Sequence, residues 1–302
     1  MSKAFGFTEY GGPQHQVFLD RPVPVPGPGQ LQIAVRAAGV NPIDWKIRRG
    51  LTGKGLDLPA VLGVEAAGVV EAVGEGATGF AVGDHVFGTT VGGGYAQHAL
   101  LTAASAARKP AGVSFLQAAA LPVAAATGYD GVEDIGLKAG QTLLVLGIAG
   151  GVGSVAAQIA RERGIGVLGT ASDARRAYVE ELGATWIRYG DGAAERILAA
   201  APEGVDGILD LIGGADARAA AETLADRSRL VATSDPGTAA ELGGSFIRRS
   251  PAGPTLAKLA DLVATGRLDQ KITATYPLEQ AAEALAEVEA GHARGKLILE
   301  VS

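Results

Sequence analysis

The chain has 302 residues, of which 47% are hydrophobic and 19% are charged, and its formal net charge is −6. This length allows one large domain or two ordinary ones with full hydrophobic cores, while the acidic balance without a basic cluster argues against a nucleic-acid partner. No cysteine occurs, which excludes disulfides and thiolate chemistry. The first residues do not resemble a signal peptide, and no apolar run is long enough to span a bilayer, so we expect a cytoplasmic protein with no membrane partner.

Residues 1–121 are predicted to form a β-rich domain. Runs rich in Val, Ile and Leu, such as LQIAVRAAGV and AAGVVEAVG, alternate with turn clusters such as PVPGPGQ and GEGATG. Helical periodicity is scarce in this part, and we expect no more than a turn after Asn41-Pro42.

Residues 122–265 are predicted to alternate between strands and helices. TLLVLG is typical of a buried strand, and VGSVAAQIARERG has the period of a helix that ends near Gly164. Further strand-like runs then alternate with helices of about ten residues, as in parallel sheets. They are IGVLGT, TWIRYG, GILDLI and RLVATS. The alternation predicts an α/β fold with a doubly wound parallel sheet of the Rossmann type.

Residues 266–302 are predicted to return to the β-rich domain. KITATYPL and GKLILEV have the composition of strands, and LEQAAEALAEVEAG that of a capped amphipathic helix. Pro254 can occupy the first turn of one more helix, PTLAKLADLVATG, which we place with the doubly wound domain.

The glycine-rich turn after TLLVL is a candidate pyrophosphate site. Its spacing is Gly147-x-x-Gly150-x-x-Gly153, with Gly151 added, between a strand and a helix. Helix N-termini offer unpaired N–H groups and a partial positive charge, and glycines let phosphates approach the backbone. A tight turn without a ligand is the alternative, but the position at the first strand–helix crossing favours a dinucleotide.

The end of the second parallel strand indicates which dinucleotide is bound. Residues 169–172, Gly-Thr-Ala-Ser, contain no acid to bind the ribose of NAD, and Arg175 and Arg176 follow. A hydroxyl and a guanidinium suit a 2′-phosphate, so the sequence predicts NADPH as the cofactor. Asp173 is expected to cap a helix, and the two arginines could instead form a solvated helix face.

Five blocks of sequence follow one another in the order of a known family. They are GVNPIDWKIRRG (39–50), LGVEAAGVVEAVGEGATGFAVGDHVFG (62–88), GGGYAQHALLTA (92–103), AALPVAAATGYDGV (119–132) and AGQTLLVLGIAGGVGSVAAQIAR (139–161). With the closing HARGKLILEV, the chain resembles the medium-chain dehydrogenase/reductase superfamily in its zinc-independent quinone oxidoreductase (zeta-crystallin-like) branch. The resemblance implies a GroES-like catalytic domain, a Rossmann NADPH-binding domain and a homodimer.

The resemblance also implies which residues hold the pyrophosphate and the nicotinamide half of the cofactor. The pyrophosphate would lie against Gly150, Gly151, Val152 and Gly153. Thr127 would lie near the nicotinamide half, or could instead cap a helix. Ile148 stands where the family has a small residue, so we expect its branched side chain to alter how closely the pyrophosphate fits.

A further group of residues would hold the adenosine half by the same resemblance. Ser172, Arg175 and Tyr189 would surround the 2′-phosphate. Gly213 and Ser234 would lie along the track from the adenosine to the nicotinamide. Ser234 could instead end a strand, and Tyr189 could pack as a half-buried aromatic residue.

No catalytic metal site is predicted. Alcohol dehydrogenases of the superfamily hold zinc with Cys and His, and the positions that resemble these two ligands carry Asn41 and Val64 here. Glu65 alone cannot hold a zinc ion, which needs three protein ligands and an open position. The histidines show no paired helical spacing; they are His15, His85, His98 and His292. We therefore expect metal-independent chemistry.

Without a Lewis acid, reduction of an electrophilic small molecule is the favoured reaction, because nothing lowers the pKa of an alcohol. A quinone or an α,β-unsaturated carbonyl accepts hydride directly and then needs a hydrogen-bond donor and a proton. Asn41 could donate that bond, Trp45 could wall the pocket, and Tyr95 could reach the cleft or fill a β-corner. Asp44 is expected to orient its loop, and Lys46 could supply positive charge. No catalytic residue is assigned.

Three functions are compatible with the sequence. The favoured one is an NADPH-dependent, metal-independent oxidoreductase acting on quinones or conjugated enones. The second is an enoyl or ketone reductase that tailors a polyketide or another secondary metabolite. The third is a non-catalytic NADPH-binding protein, as crystallins of this branch have become.

Overall fold

The computed structural model describes residues 1–249, 253–291 and 293–302 of the chain. These residues form two compact units. Unit 1 contains residues 1–126 and the described residues from 253 onward, and unit 2 contains residues 127–249.

Unit 1 starts with seven strands and two short helices. They are β1 (Ser2–Phe7), β2 (Gln16–Arg21), β3 (Gln30–Val40), α1 (Pro42–Arg48), β4 (Ala60–Val61), β5 (Glu65–Val73), β6 (His85–Val91), β7 (His98–Arg108) and α2 (Phe115–Ala119). Helix α1 is longer than the turn that we expected. Pro42 occupies its first position, and the Asp44 carboxylate accepts a 2.8 Å hydrogen bond from the Asn41 N–H, so the N-terminus of the helix is stabilised in two ways.

Unit 2 alternates helices and strands. They are α3 (Ala126–Ile135), β8 (Thr142–Leu146), α4 (Gly151–Glu162), β9 (Gly166–Ala171), α5 (Arg176–Glu181), β10 (Thr185–Arg188), α6 (Ala193–Ala200), β11 (Gly207–Asp210), α7 (Gly214–Ala221), β12 (Leu230–Ala232), α8 (Pro236–Glu241) and β13 (Ser245–Phe246). The strands pair in parallel in the order β10-β9-β8-β11-β12-β13. This is the strand order of Rossmann dinucleotide-binding sheets, so the predicted fold class is confirmed.

The described chain after residue 252 adds two helices and two strands to unit 1. They are α9 (Gly253–Ala264), β14 (Ile272–Pro277), α10 (Ala281–Glu289) and β15 (Lys296–Glu300). The main sheet has the order β14-β15-β3-β5-β6-β7, and a further pairing of β3 with β7 closes four of its strands on themselves. Strand β15 lies antiparallel to β3, with Leu297 opposite Val40. The last strand is thereby joined to the β-rich part of the chain.

The extent of unit 2 differs from the predicted range 122–265. Helix α9 falls within that range, yet it belongs to unit 1 and packs against β7. Its buried residues are Leu256, Leu259, Ala260, Leu262 and Val263. An amphipathic period predicts a helix but not the partner that covers its apolar face, which is why this helix was assigned to the wrong unit.

Each unit has its own hydrophobic core. Phe5, Phe7 and Leu31 are buried in the core of unit 1, and Leu144 and Ile208 in that of unit 2. None of the helices in the described part of the chain combines the length and hydrophobicity needed to cross a bilayer.

Candidate functional site

The glycine turn of unit 2 leaves the N-terminus of α4 open. Strand β8 ends at Leu146, Gly147 adopts a left-handed conformation with φ +79°, and Gly150 precedes the helix. None of the side chains that the structure describes caps α4. The first-turn N–H groups of a helix have no acceptor within it, so this turn offers amide donors and the positive end of the helix dipole to an anion.

Gly153 brings the helix close to the turn. A Cβ at this position would lie 2.6 Å from the Ile148 Cα and 2.7 Å from the Gly147 carbonyl oxygen. At Gly150, by contrast, an added Cβ would meet only that same oxygen, at 3.7 Å. Packing therefore requires a glycine at position 153, whereas the surface beside Gly150 is open.

Ile148 does not line this surface. Its side chain is fully buried and packs against β9, where a Cβ on Gly169 would lie 2.5 Å from the Ile148 Cγ2 and 2.7 Å from its Cβ. We expected Ile148 to alter the fit of a pyrophosphate because we assumed that its side chain faces the ligand. The structure corrects this expectation, because Gly169 provides the space that the branched side chain needs.

A cavity of about 670 Å³ opens where β9 and β10 end, and we call it the β9–β10 cavity. It is lined by Ser172, Asp173, Ala174, Arg188, Tyr189, Gly190, Asp191 and Arg196. Two of the residues predicted for the 2′-phosphate, Ser172 and Tyr189, therefore lie together. Arg175 is not among the lining residues, and Tyr189 lines the cavity with 51% of its surface exposed.

Arg188 and Arg196 bring positive charge to the β9–β10 cavity, and the sequence reasoning missed both. A sequence signal was present, because the carboxyl ends of neighbouring parallel strands meet at one edge of a sheet and Arg188 lies near the end of the predicted strand TWIRYG. Asp173 was expected to cap a helix. Instead Ser172 precedes a 3₁₀ turn, Asp173–Arg175, and the Asp173 carboxylate lies 3.7 Å from Arg188 Nη1.

Thr127 is buried within α3 and does not cap it. Its hydroxyl oxygen accepts a 2.6 Å hydrogen bond from Arg249 Nη1, while Arg249 Nε lies 3.4 Å from the Asp130 carboxylate. The position of Thr127 near the nicotinamide stays a prediction.

Gly213 and Ser234 follow the neighbouring strands β11 and β12. The Asp210 carboxylate accepts a 2.8 Å hydrogen bond from the Gly213 N–H, and Gly213 has φ +83°. Burial raises the pKa of Asp210 above its usual value. The Ser234 hydroxyl is buried without a hydrogen-bond partner in the described part of the chain. Such an orphaned group at a strand end fits a ligand contact, in keeping with the predicted track along the cofactor.

Unit 1 contains a buried polar cluster around Glu65, which we call the Glu65 cluster. Glu65 Oε1 accepts hydrogen bonds from Asn41 Nδ2 at 2.7 Å and from Lys296 Nζ at 2.6 Å, and its Oε2 accepts one from the Val123 N–H at 2.7 Å. Lys296 Nζ also donates to Asn41 Oδ1 at 2.6 Å and to the Val40 carbonyl at 3.0 Å. The amide of Asn41 is thus engaged inside the unit, which contradicts its predicted role as a donor to a substrate.

Tyr95 and Asp44 extend the Glu65 cluster. Tyr95 is fully buried, and its O–H donates a 2.7 Å hydrogen bond to Asp44 Oδ2, which also accepts from the Asn41 N–H. Tyr95 therefore fills the interior of the unit and does not line an open pocket. Asp44 orients the chain at the start of α1, as expected, and desolvation raises its pKa to about 7.

Trp45 packs half-buried against the hydrophobic core of unit 1. Lys46 Nζ lies 5.8 Å from the centre of its ring and Arg49 Cζ lies 5.6 Å from it. The indole N–H is buried without a partner among the described residues. Its role as a wall of the substrate pocket stays a prediction.

An Asp44→Asn substitution is expected to reduce the pH dependence of stability. The folded-state pKa of Asp44 is raised from 3.8 to about 7, so the folded state binds this proton more tightly than the unfolded chain does. Its stabilising contribution is complete below pH 3.8 and is lost as the pH rises to about 7. As the pH rises from about 5 to about 8, we expect the free energy of unfolding of the wild type to fall by about 2–3 kcal/mol more than that of the variant, as measured by urea unfolding. Parallel curves for the two proteins would contradict the shifted pKa.

The residues of unit 1 do not fit the catalytic zinc of related dehydrogenases. By the resemblance, Asn41 and Val64 stand where zinc ligands would be, and Glu65 Oε1 already accepts a hydrogen bond from the ammonium group of Lys296. A zinc ion at this carboxylate would meet a second cation at close range. Within the described residues, no group of three His, Cys, Asp or Glu side chains could hold a metal, and His292 lies outside them.

Two family models match the chain. The alcohol dehydrogenase GroES-like domain matches residues 27–111, and the zinc-binding dehydrogenase model matches residues 182–299. The first match lies in unit 1, where the sequence predicted a GroES-like domain.

The chain is also similar to quinone oxidoreductases. It is 40% identical to human quinone oxidoreductase over 174 residues, which are 57% of this chain and 53% of that protein, so the match spans about half the length of this relative. The solved structure of quinone oxidoreductase from Coxiella burnetii is 30% identical, with a TM-score of 0.90 over 100% of this chain and 99% of that one. A mycobacterial protein complexed with NADPH is 30% identical, with a TM-score of 0.89 over 99% of this chain and 100% of that one. These likenesses confirm the resemblance read from the sequence motifs, and the chain belongs to the quinone oxidoreductase branch of the medium-chain dehydrogenase/reductase superfamily.

Proposed function

We propose that this protein is an NADPH-dependent, metal-independent reductase that transfers hydride to a quinone or an α,β-unsaturated carbonyl compound. The glycine-rich N-terminus of α4 carries the proposal, because it fits a pyrophosphate in the same unit as the β9–β10 cavity, which two arginines and two aspartates line. The NADPH complex of the mycobacterial relative supports the choice of cofactor.

The residues of unit 2 bind and orient the cofactor. The amides after Gly150 would hold the pyrophosphate, Ser172 and Arg188 would hold the 2′-phosphate, and the Ser234 hydroxyl would gain the partner that it lacks. NADPH supplies a hydride when bound. The protein then acts mainly by positioning the reacting carbon atoms and by excluding water.

The charges of the Glu65 cluster support the proposal of a metal-independent reaction. Lys296 already neutralises the one carboxylate at the family's metal position. Without a Lewis acid the acceptor must itself be electron-poor, which favours quinones and conjugated enones over saturated ketones. The homodimer and the cytoplasmic location stay predictions from the sequence.

We expect the purified protein to consume NADPH with a quinone or a conjugated enone and to leave a saturated ketone unreduced. NADH should be used with a KM at least about tenfold higher, because it lacks the 2′-phosphate that Ser172 and Arg188 would hold. A chelator should leave the rate unchanged, and metal analysis should find less than stoichiometric zinc. The decrease in absorbance of the reduced nucleotide, NADPH or NADH, measures the rate of each reaction.

Other outcomes would favour the alternative functions. NADPH binding without turnover of any acceptor would indicate a non-catalytic binding protein. Slow turnover of simple quinones with fast turnover of one bulky enone would indicate a tailoring reductase. Loss of activity on chelation would contradict the metal-independent reaction.

A further inference from the structure

Arg188 projects from the end of β10 at the rim of the β9–β10 cavity. In the parallel register it lies opposite Ala171, the residue before Ser172. Its side chain is 63% exposed, and Nη1 lies 3.7 Å from the Asp173 carboxylate, which is beyond hydrogen-bond distance. The guanidinium thus has a counter-charge nearby but retains donors for a ligand.

Arg196 fixes the backbone that carries Arg188. Its Nε donates a 3.0 Å hydrogen bond to the Arg188 carbonyl, and its Nη2 donates to the carbonyls of Tyr189 and Gly190 at 3.3 Å and 3.2 Å. Three carbonyls bound by one guanidinium hold residues 188–190 as a rigid edge of the cavity. A side chain on such an edge is well placed to recognise a ligand with little loss of entropy on binding.

The two arginines identified from the sequence are placed differently. Arg176 donates a 2.8 Å hydrogen bond to Glu180, and its guanidinium lies 5.2 Å from the centre of the Trp186 ring. Arg175 ends the 3₁₀ turn and does not line the cavity. Positive charge next to Ser172 therefore comes from β10 and α6 rather than from the segment after β9.

We propose that Arg188 is the residue that selects NADPH over NADH, with Asp173 as the counter-charge that the 2′-phosphate replaces. The inference rests on the proposed function, because it concerns the same cofactor site. A phosphate dianion offers a guanidinium two short charge-assisted hydrogen bonds, whereas Asp173 holds it only at 3.7 Å. NADH, with a 2′-hydroxyl, offers no such replacement and leaves the Arg188–Asp173 pair as it is.

Binding of two small probes to the whole protein tests the proposal without catalysis. Adenosine 2′,5′-bisphosphate carries the 2′-phosphate, and 5′-AMP lacks it. We expect Arg188→Gln to weaken binding of the bisphosphate by about tenfold or more in calorimetric titration, and to leave binding of 5′-AMP unchanged. Arg175→Gln is the matched control, and it should change either affinity by less than about threefold.

An Asp173→Asn variant separates the proposal from the opposite assignment. If Asp173 is only a competing counter-charge, its removal tightens binding of the bisphosphate. If Asp173 instead holds the ribose hydroxyls, Asp173→Asn weakens 5′-AMP binding while Arg188→Gln has no effect, and the proposal is overturned.

Failure of the proposal differs from failure of the proposed function. A wild-type protein that binds NADPH, with Arg188→Gln binding the bisphosphate as tightly, overturns only the role of Arg188. If Arg175→Gln, and not Arg188→Gln, weakens binding of the bisphosphate, the role of Arg188 is likewise overturned. A wild-type protein that binds neither NADPH nor the bisphosphate contradicts the proposed function itself. The Asp173→Asn and Arg188→Gln variants should retain the thermal unfolding midpoint of the wild type, because both side chains are exposed on unit 2.

Discussion

Replacement of Lys296 by methionine is expected to destabilise unit 1 by about 3–5 kcal/mol, because it leaves the Glu65 carboxylate buried without its cation. The side chain of Glu65 is 0% exposed and that of Lys296 is 3% exposed. Solvent therefore cannot replace the lost ammonium group. The same substitution removes the bond from Lys296 Nζ to the Val40 carbonyl, which links the start of β15 to the end of β3.

An exposed ion pair provides the matched control. Lys3 Nζ lies 3.0 Å from Glu279, but their side chains are 39% and 60% exposed, so Lys3→Met should cost no more than about 1 kcal/mol. A Glu65→Gln and Lys296→Met double variant should recover much of the lost stability, because no buried charge remains unpaired.

Urea unfolding followed by tryptophan fluorescence can report on one unit at a time. The chain has two tryptophans, of which Trp45 lies in unit 1 and Trp186 in unit 2. In a Trp186→Phe background, the signal of Trp45 measures the unit that contains the Glu65 cluster, which avoids treating the two units as a single transition. If Lys296→Met and Lys3→Met lower the free energy of unfolding equally, the buried ion pair contributes no more to stability than an exposed one.

The glycine turn could be predicted because all of its determinants are contiguous. The strand TLLVL, the glycines and the helix that follows occupy one short stretch of chain, and local patterns specify such a unit. The two-residue strand Ser245–Phe246 was not predicted, since it is too short to show a period and its side chains are exposed.

The Glu65 cluster could not be predicted in the same way. Glu65 and Lys296 are 231 positions apart, and neither neighbourhood shows which distant group faces it. Asn41 was read as a donor from its local motif, but its hydrogen-bonding capacity is used by those distant partners. Arg188 is an intermediate case. Its strand was predicted, and the rule that neighbouring parallel strands end at the same edge of a sheet would have placed it beside Ser172.

The packing of Ile148 on Gly169 leads to the second large effect. Gly169→Ala is expected to destabilise unit 2 by about 1–3 kcal/mol or more, because the new Cβ would lie 2.5 Å from the Ile148 Cγ2 in a filled interior. Ile148→Ala should cost about 2–5 kcal/mol through the cavity that it leaves. Unfolding monitored at Trp186 in a Trp45→Phe background measures both.

The same strand supplies the control. A Cβ added to Gly166 on β9 would meet its nearest neighbours at 3.6 Å, an ordinary contact, so Gly166→Ala should change stability by less than about 1 kcal/mol. Neither Gly166 nor Gly169 has a positive φ, so any difference between the two substitutions arises from packing.

The double variant Ile148→Ala and Gly169→Ala decides the cause. If the clash is between these two side chains, the new methyl group occupies part of the space that Ile148 vacates, and the loss is smaller than the sum of the single losses by about 1 kcal/mol or more. Strictly additive losses would place the clash elsewhere on β9. Because Gly150 and the N-terminus of α4 are unchanged, a double variant that folds should bind NADPH as the wild type does. A double variant that folds but does not bind NADPH would show that Ile148 contributes to the pyrophosphate cradle.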